Sequence, residues 1–360
     1  VTGGSRAGWL SLLGLLVALA LGLAESPLGL TGTLMEPAQA AEFSEPISEA
    51  LQVDPGLLGC QETDTTQISW ALAPMEGAFG KGRANFSYIA DPGSQIEDSM
   101  VVRNCSSMAI DLQVYPADAY NTPEGHVDLV SADVPQIDLA GWISLNGSEA
   151  ASGVVHLAAL QQVSLDFSVD VPDDARPGDH TGGLVTSIVQ ESDQAALGVE
   201  SRLALRINVA VTGELTPKLA IDQLQMVNRG SINPLSGGQA VVSYFLVNSG
   251  NARLVPTEVI TVTGPFGWGE RGSSQTLEEL LPGGRVERQV AVSGVLPLVR
   301  ISADVQVDAL AVGLGAEGKP ASANQQTRGW SIPWLWLGVF VTALFLVVWA
   351  GRRQGRRAAA

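Results

Sequence analysis

The chain has 360 residues, 20 lysines and arginines against 37 aspartates and glutamates, a net charge of −17, and only two cysteines and three histidines. An acidic body is repelled by nucleic acid and by anionic lipid, so neither is an expected ligand. A lone cysteine pair with no histidine nearby in sequence is no metal site, and the length suits two β-domains between specialised ends.

At the N-terminus Arg6 precedes "WLSLLGLLVALALGLA" (Trp9 to Ala24), an uncharged apolar run that fits a signal-peptide core better than a full membrane span. Residues 1–40 are therefore read as a signal peptide. Ala38-Gln39-Ala40 is one cleavage site; a cut near Ala24 and an uncleaved anchor stay open. A linker over 41–66 follows. Cys60 lies in it and Cys105 in the body beyond, and an oxidising compartment allows the two to pair.

From about Gln67 the chain shows strict alternation and almost no helical periodicity. "VSLDFSVDV" sets Val163, Leu165, Phe167, Val169 and Val171 on one face, and "LALRINVAV" repeats the pattern over residues 203–211. "IDLQV" (110–114) and "ISADVQV" (301–307) show it more briefly. Period two with one polar face marks strands that cover one side of a core. Turn clusters such as "PDDARPGD", "NSGN" and "LPGG" divide them, which predicts an all-β chain of two antiparallel sandwiches, residues 67–213 and 214–313. An internal echo supports the division: Asn104 and Asn248 each follow a β-run and precede a second one, in turns expected to be hairpins with left-handed backbone.

After the second unit, "GLGAEGKPASANQQTRG" reads as a polar linker over 314–330. "IPWLWLGVFVTALFLVVWA" (Ile332 to Ala350) has no charge and at about 1.5 Å per residue matches a bilayer core. Tryptophans 330, 334, 336 and 349 fit interfacial belts, and "GRRQGRR" marks the cytoplasmic side. The expectation is one transmembrane helix over 331–350 and a basic tail over 351–360. Four of the twenty basic residues lie in that tail and no acid follows Trp330, leaving sixteen against 37, or −21, on residues 1–330.

His126, His156 and His180 show no zinc spacing, and neither a nucleophile elbow nor a phosphate-binding loop occurs. No cofactor is expected. Sequons at Asn85, Asn104 and Asn146 matter only in a host that glycosylates. The one stretch suggestive of chemistry is "RPGDHTGGLV" (176–185), with Asp179 beside His180. Two readings compete: part of a hydrolytic site, or a turn that starts a strand. Adjacent side chains of an extended chain point opposite ways, so Asp179 is poorly placed to orient His180, and Pro177, Gly178, Gly182 and Gly183 suit a turn and close backbone approach. The turn is preferred, and no enzyme is expected.

Residues 68–211 resemble the N-terminal domain of WxL-interacting proteins, surface proteins of Gram-positive bacteria. The resemblance is carried by "ISWALAPMEG" (68–77), "FSYIADPGSQIEDSMVVRN" (86–104), "VYPADAY" (114–120), "GWISL" (141–145) and "FSVDVPDDARPGDHTGGLVTSI" (167–188). It implies two Ig-like antiparallel β-sandwich domains ahead of a C-terminal membrane helix, the first binding cell-wall peptidoglycan. Residues 214–313 match the family's second, host-binding domain only in outline. Trp70, Tyr88, Tyr115, Tyr120 and Trp142 are candidate contacts, because their rings offer flat apolar faces to sugars. Core packing is the alternative for each, Trp70 and Trp142 above all. The competing function is an assembly module that binds a surface protein, for instance by strand addition to a sheet edge.

Overall fold

The structure is a computed structural model that describes residue 60 and residues 67–146, 153–191, 198–229, 237–316, 318–331 and 334–358. The expected signal peptide, and the linker after it apart from Cys60, lie outside the described residues.

The alternating segments form strands, as their pattern requires. The first sandwich has one sheet ordered β1 (Trp70–Pro74), β3 (Gln95–Asn104), β8 (Gln162–Asp170), β6 (Ile143–Asn146). The facing sheet is ordered β2 (Phe86–Ala90), β10 (Gly198–Val211), β9 (Gly178–Glu191), β4 (Ile110–Asn121), β5 (Val127–Leu129), with β7 (Val154–Leu157) also paired to β4. Leu165, Phe167 and Val169 of β8 meet Ile207 and Val209 of β10 in one core, and Phe86 packs edge-on against Phe167 at 5.0 Å. β2 runs parallel to β10, so this sandwich is not wholly antiparallel.

The second sandwich pairs β11 (Leu219–Arg229), β12 (Gly238–Asn248) and β15 (Arg285–Val295) in one sheet. The other is ordered β14 (Arg271–Thr276), β13 (Leu254–Thr263), β16 (Val299–Ala311), β17 (Pro320–Ser331). Both bodies are Ig-like β-sandwiches, and the chain passes between them from Val211 to Leu219. Strand β17 corrects the reading of 314–330 as a linker: it pairs with β16 from Val299↔Ser331 to Leu310↔Pro320. Its alanines, serines and glutamines lack the β-branched signature of a strand, since its outer face meets water. What holds it is β16 on one side and β11 on the other. Gly329 leaves room for Met226, where an added Cβ would come within 2.9 Å of the methionine methyl, and Asn228 Nδ2 donates to Ser331 Oγ at 2.7 Å.

The internal echo is real but differs in kind from the expectation. Asn104 and Asn248 are wholly buried, and neither has a positive φ. Each ends a strand of one sheet before the chain arches over to the other, so neither turn is a hairpin. Asn104 Nδ2 donates to the carbonyls of Met108 and Ala158 at 2.8 and 2.9 Å while its Oδ1 accepts from Ser106 N at 2.9 Å. Asn248 Nδ2 donates to Ala252 and Leu280 carbonyls at 2.8 and 3.1 Å while its Oδ1 accepts from Gly250 N at 3.0 Å. In both domains one amide satisfies an arch whose backbone has no ladder to bond to.

The second core carries a buried acid. Glu258 lies on the inward register of β13 and is 1% exposed. It accepts from the Tyr244 hydroxyl and from Arg288, whose Nη2 lies 2.5 Å from Oε1. Burial first, and then that carboxylate, push the Tyr244 hydroxyl far above its ordinary pKa. Cys60 is disulfide-bonded to Cys105, which ties the segment ahead of β1 to the arch after β3. A helix, α1 (Trp334–Ala358), follows the second sandwich; among the described residues no helix is long and apolar enough to cross a membrane.

Candidate functional site: the cleft between the sandwiches

The two sandwiches belong to one compact unit and are joined by a network of charged side chains. Arg253, at the start of β13, is buried. Its Nη1 donates to Asn208 Oδ1 at 3.1 Å and to Glu279 Oε1 at 3.0 Å, and its Nε lies 3.6 Å from Asp179 Oδ1. Its backbone N–H donates to Asp179 Oδ2 at 2.8 Å. Arg206 closes the network on Glu279 Oε2 at 2.7 Å. Asp179, Arg206 and Asn208 come from the first sandwich, Arg253 and Glu279 from the second. Asp179 is packed so tightly that a Cβ on Gly313 would meet its carboxylate at 2.0 Å. That burial raises its pKa although Arg253 works in the opposite direction.

Backbone contacts align the same surfaces. Asp179 N donates to Asn251 O at 2.8 Å, and Asn251 Nδ2 returns to Pro177 O at 2.8 Å and Glu214 O at 2.9 Å. Gly178 sits at φ +128°, and an added Cβ would strike Asn251 O at 2.2 Å, so only glycine fits there. Asn121 bridges similarly, donating to Glu279 O and accepting from Leu281 N, both at 2.8 Å.

Beside this lock opens a cleft of about 600 Å³ walled by Pro172, Asp174 to Pro177, Asn248 to Asn251 and Pro282–Gly283. His180 and Trp142 stand on its first-sandwich side with ring centroids 4.5 Å apart. His180 Nδ1 faces Asp138 Oδ1 at 2.6 Å and its Nε2 faces the Arg176 carbonyl at 2.8 Å. Burial lowers the pKa of this ring, but Asp138 and the Arg176 carbonyl outweigh it and the net shift is upward. Both ring nitrogens thus face acceptors, an arrangement that favours the protonated ring. Asp179, the sequence neighbour, turns away to Arg253. Gly178 and Asp179 of "RPGDHTGGLV" therefore form part of the joint between domains, while Gly182 and Gly183 admit neighbours within the first sandwich, where an added Cβ would meet Ala117 O at 2.7 Å and Leu205 O at 2.8 Å.

The sign of the His180 shift sets a prediction. A histidine whose folded pKa is raised adds stability that is complete below its ordinary value of 6.5 and is lost as pH rises through the folded pKa. Urea midpoints of the wild type should therefore fall across that window relative to His180→Gln. Parallel curves for the two proteins would show that this pairing contributes no pH dependence.

The five candidate contact residues scatter. Trp70 is buried, its Nε1 donating to Thr186 Oγ1 at 2.8 Å, and Tyr88 is buried with its hydroxyl donating to Asp98 Oδ2 at 2.6 Å. Both are core residues, which corrects their reading as contacts; for Tyr88 the inward register of β2 decides the matter. Tyr115 is half-buried on β4, Tyr120 is exposed at the end of the same strand, and Trp142 is half-buried in the cleft. His126 pairs with Glu278 at 2.8 Å and His156 with Asp111 at 2.5 Å, both in the open. Among the described residues no group of histidine, cysteine and acidic side chains has the geometry to hold a metal ion. Sequence reasoning missed Asp138, Asn208, Arg253 and Glu279. The available signal was a lone arginine heading a β-run in "NARLVP" and paired acids before "LPGG".

The fold and this cleft define a class: a tandem Ig-like module whose two sandwiches are locked by buried charge. No family model and no curated protein matches the chain. Among solved structures, it is similar to the chaperone–tip adhesin complex of CFA/I fimbriae, at 12% identity over 72% of this chain and 98% of that one, with a TM-score of 0.36. It is also similar to the class 5 fimbrial chaperone CfaA (12%, 72% and 99%, TM-score 0.34) and to the Salmonella enterica SafA pilin–SafB chaperone complex (12%, 72% and 97%, TM-score 0.31).

Proposed function

We propose that the chain is a non-enzymatic, membrane-anchored surface protein whose paired sandwiches hold a protein partner in the cleft between them. The observation that carries this reading is the fate of the aromatic candidates. A sugar-binding platform needs several open ring faces side by side, yet Trp70 and Tyr88 are in the core, Trp142 packs against His180, and only Tyr120 of the five stands exposed, at the end of β4. The cleft offers Trp142, the prolines 172, 177 and 282, and Ile137, which is 92% exposed at its lip, beside carbonyls and carboxylates. That mixture of apolar and hydrogen-bonding groups suits a polypeptide segment.

Anchoring rests on α1 and the residues just before it. From Leu337 to Trp349 its large apolar side chains stand exposed on all sides, Phe340 and Phe345 by two-thirds, and such a helix needs a non-aqueous covering. The uncharged run starts at Ile332, ahead of the described helix, and ends before four arginines. In this proposal the first sandwich corresponds to the N-terminal domain of WxL-interacting proteins, with protein in place of peptidoglycan as its ligand.

The test places a photo-crosslinking residue at Ile137 of the full chain in its native membrane. A discrete protein adduct that disappears on Trp142→Ala is expected, and the purified chain should stay in the supernatant over insoluble peptidoglycan. Absence of any adduct, or sedimentation with the glycan, overturns the proposal.

A further inference from the structure

The end of the second sandwich nearest α1 departs from the rest of the surface. Phe266 is 98% exposed, Trp268 70% and Trp330 68%, with Val299 half out of the protein beside them. These residues come from three separate places: the β13–β14 loop, the start of β16 and the end of β17. Phe266 and Val299 have φ of 61° and 67°, a region costly to any residue with a Cβ and most costly to a branched one. At both positions a strained backbone carries an apolar side chain that stands outside the protein.

The charge at this tip also runs against the rest of the chain. Residues 264–271, 296–300 and 328–331 together hold Arg271, Arg300 and Arg328 against one acid, Glu270. Arg300 and Arg328 line a shallow depression of about 350 Å³ with Phe266 at its rim. Only Ile332 and Pro333 separate β17 from α1. At no more than ~3.6 Å per residue, the end of β17 lies within about 11 Å of where the helix begins.

We infer that this tip is a membrane-docking surface, in which Phe266, Trp268 and Trp330 enter the headgroup layer while Arg271, Arg300 and Arg328 meet lipid phosphates. The inference rests on the anchoring read from α1. It commits to lipid because tryptophan and arginine together match the interfacial layer, and because the helix starts there. Net charge keeps the acidic body off an anionic bilayer; this basic end would face it, so docking would also set the direction in which the cleft is presented.

The chain's two cysteines are paired with each other, so a single introduced cysteine takes a nitroxide uniquely. Three labelled full-length variants, Phe266→Cys, Leu344→Cys and Glu97→Cys, are compared in vesicles of phosphatidylcholine and phosphatidylglycerol. Docking predicts that positions 266 and 344 are both more accessible to oxygen than to a water-soluble nickel chelate, several-fold beyond position 97. If 344 is in lipid while 266 resembles 97, docking is refuted and anchoring stands. If 344 itself is in water, both fail.

Discussion

Arg253→Ala should destabilise the protein by about 3–5 kcal/mol, the cost of removing one partner from a buried charge network. The loss exceeds that of a surface salt bridge because the groups left behind cannot return to water. Asp179 is shut in by Gly313 and by the backbone of Arg253, and Glu279 keeps only Arg206. Asn208 Oδ1 keeps Arg206 Nε at 3.0 Å. Because the network spans both sandwiches, the effect should also be one of coupling. Calorimetry of the wild type should show one transition, and Arg253→Ala should split it into two. Arg253→Lys should fall between them, since a single ammonium cannot reach Asn208, Glu279 and Asp179 as a planar fork does. A single transition with an unchanged midpoint for Arg253→Ala would show that the joint is held elsewhere.

Opening the Cys60–Cys105 bridge should cost a comparable amount, about 4 kcal/mol for a bridge spanning 45 residues in the chain-entropy account. The loss should be confined to the first sandwich. Cys105 N donates to Ser69 O at 2.9 Å, so the bridge reinforces the point where β1 joins the sheet edge, next to buried Trp70. Cys60→Ser with Cys105→Ser should therefore lower the first unfolding transition in the Arg253→Ala background and leave the second in place. Loss from both transitions, or from neither, would contradict a local role.

Strand content and core faces were legible because alternation reports directly on which side chains face inward. Leu165, Phe167 and Val169, or Ile301, Val305 and Val307, need no partner sequence to declare their side of a sheet. β17 was not legible for the same reason in reverse: with alanine inward and polar residues outward it carries little apolar signal, and its neighbours supply its stability. The local pattern of "RPGDHTGGLV" reads Gly182 and Gly183 as sites of close approach, which they are, and Gly178 as part of a turn; what approaches Gly178 is the other sandwich, which no local pattern names.

By itself, then, the sequence determined a β-sandwich chain, the apolar C-terminal run and a cysteine pair able to close, all properties of single segments or of composition. Only the tertiary structure decided that Asp179 serves Arg253 rather than His180, that Asn104 and Asn248 plug arches, that Trp70 and Tyr88 are core, and that a cleft opens beside the joint. Each of these depends on which distant residue shares a buried volume. Burial makes a charge demand a partner, and folding alone selects the partner it gets.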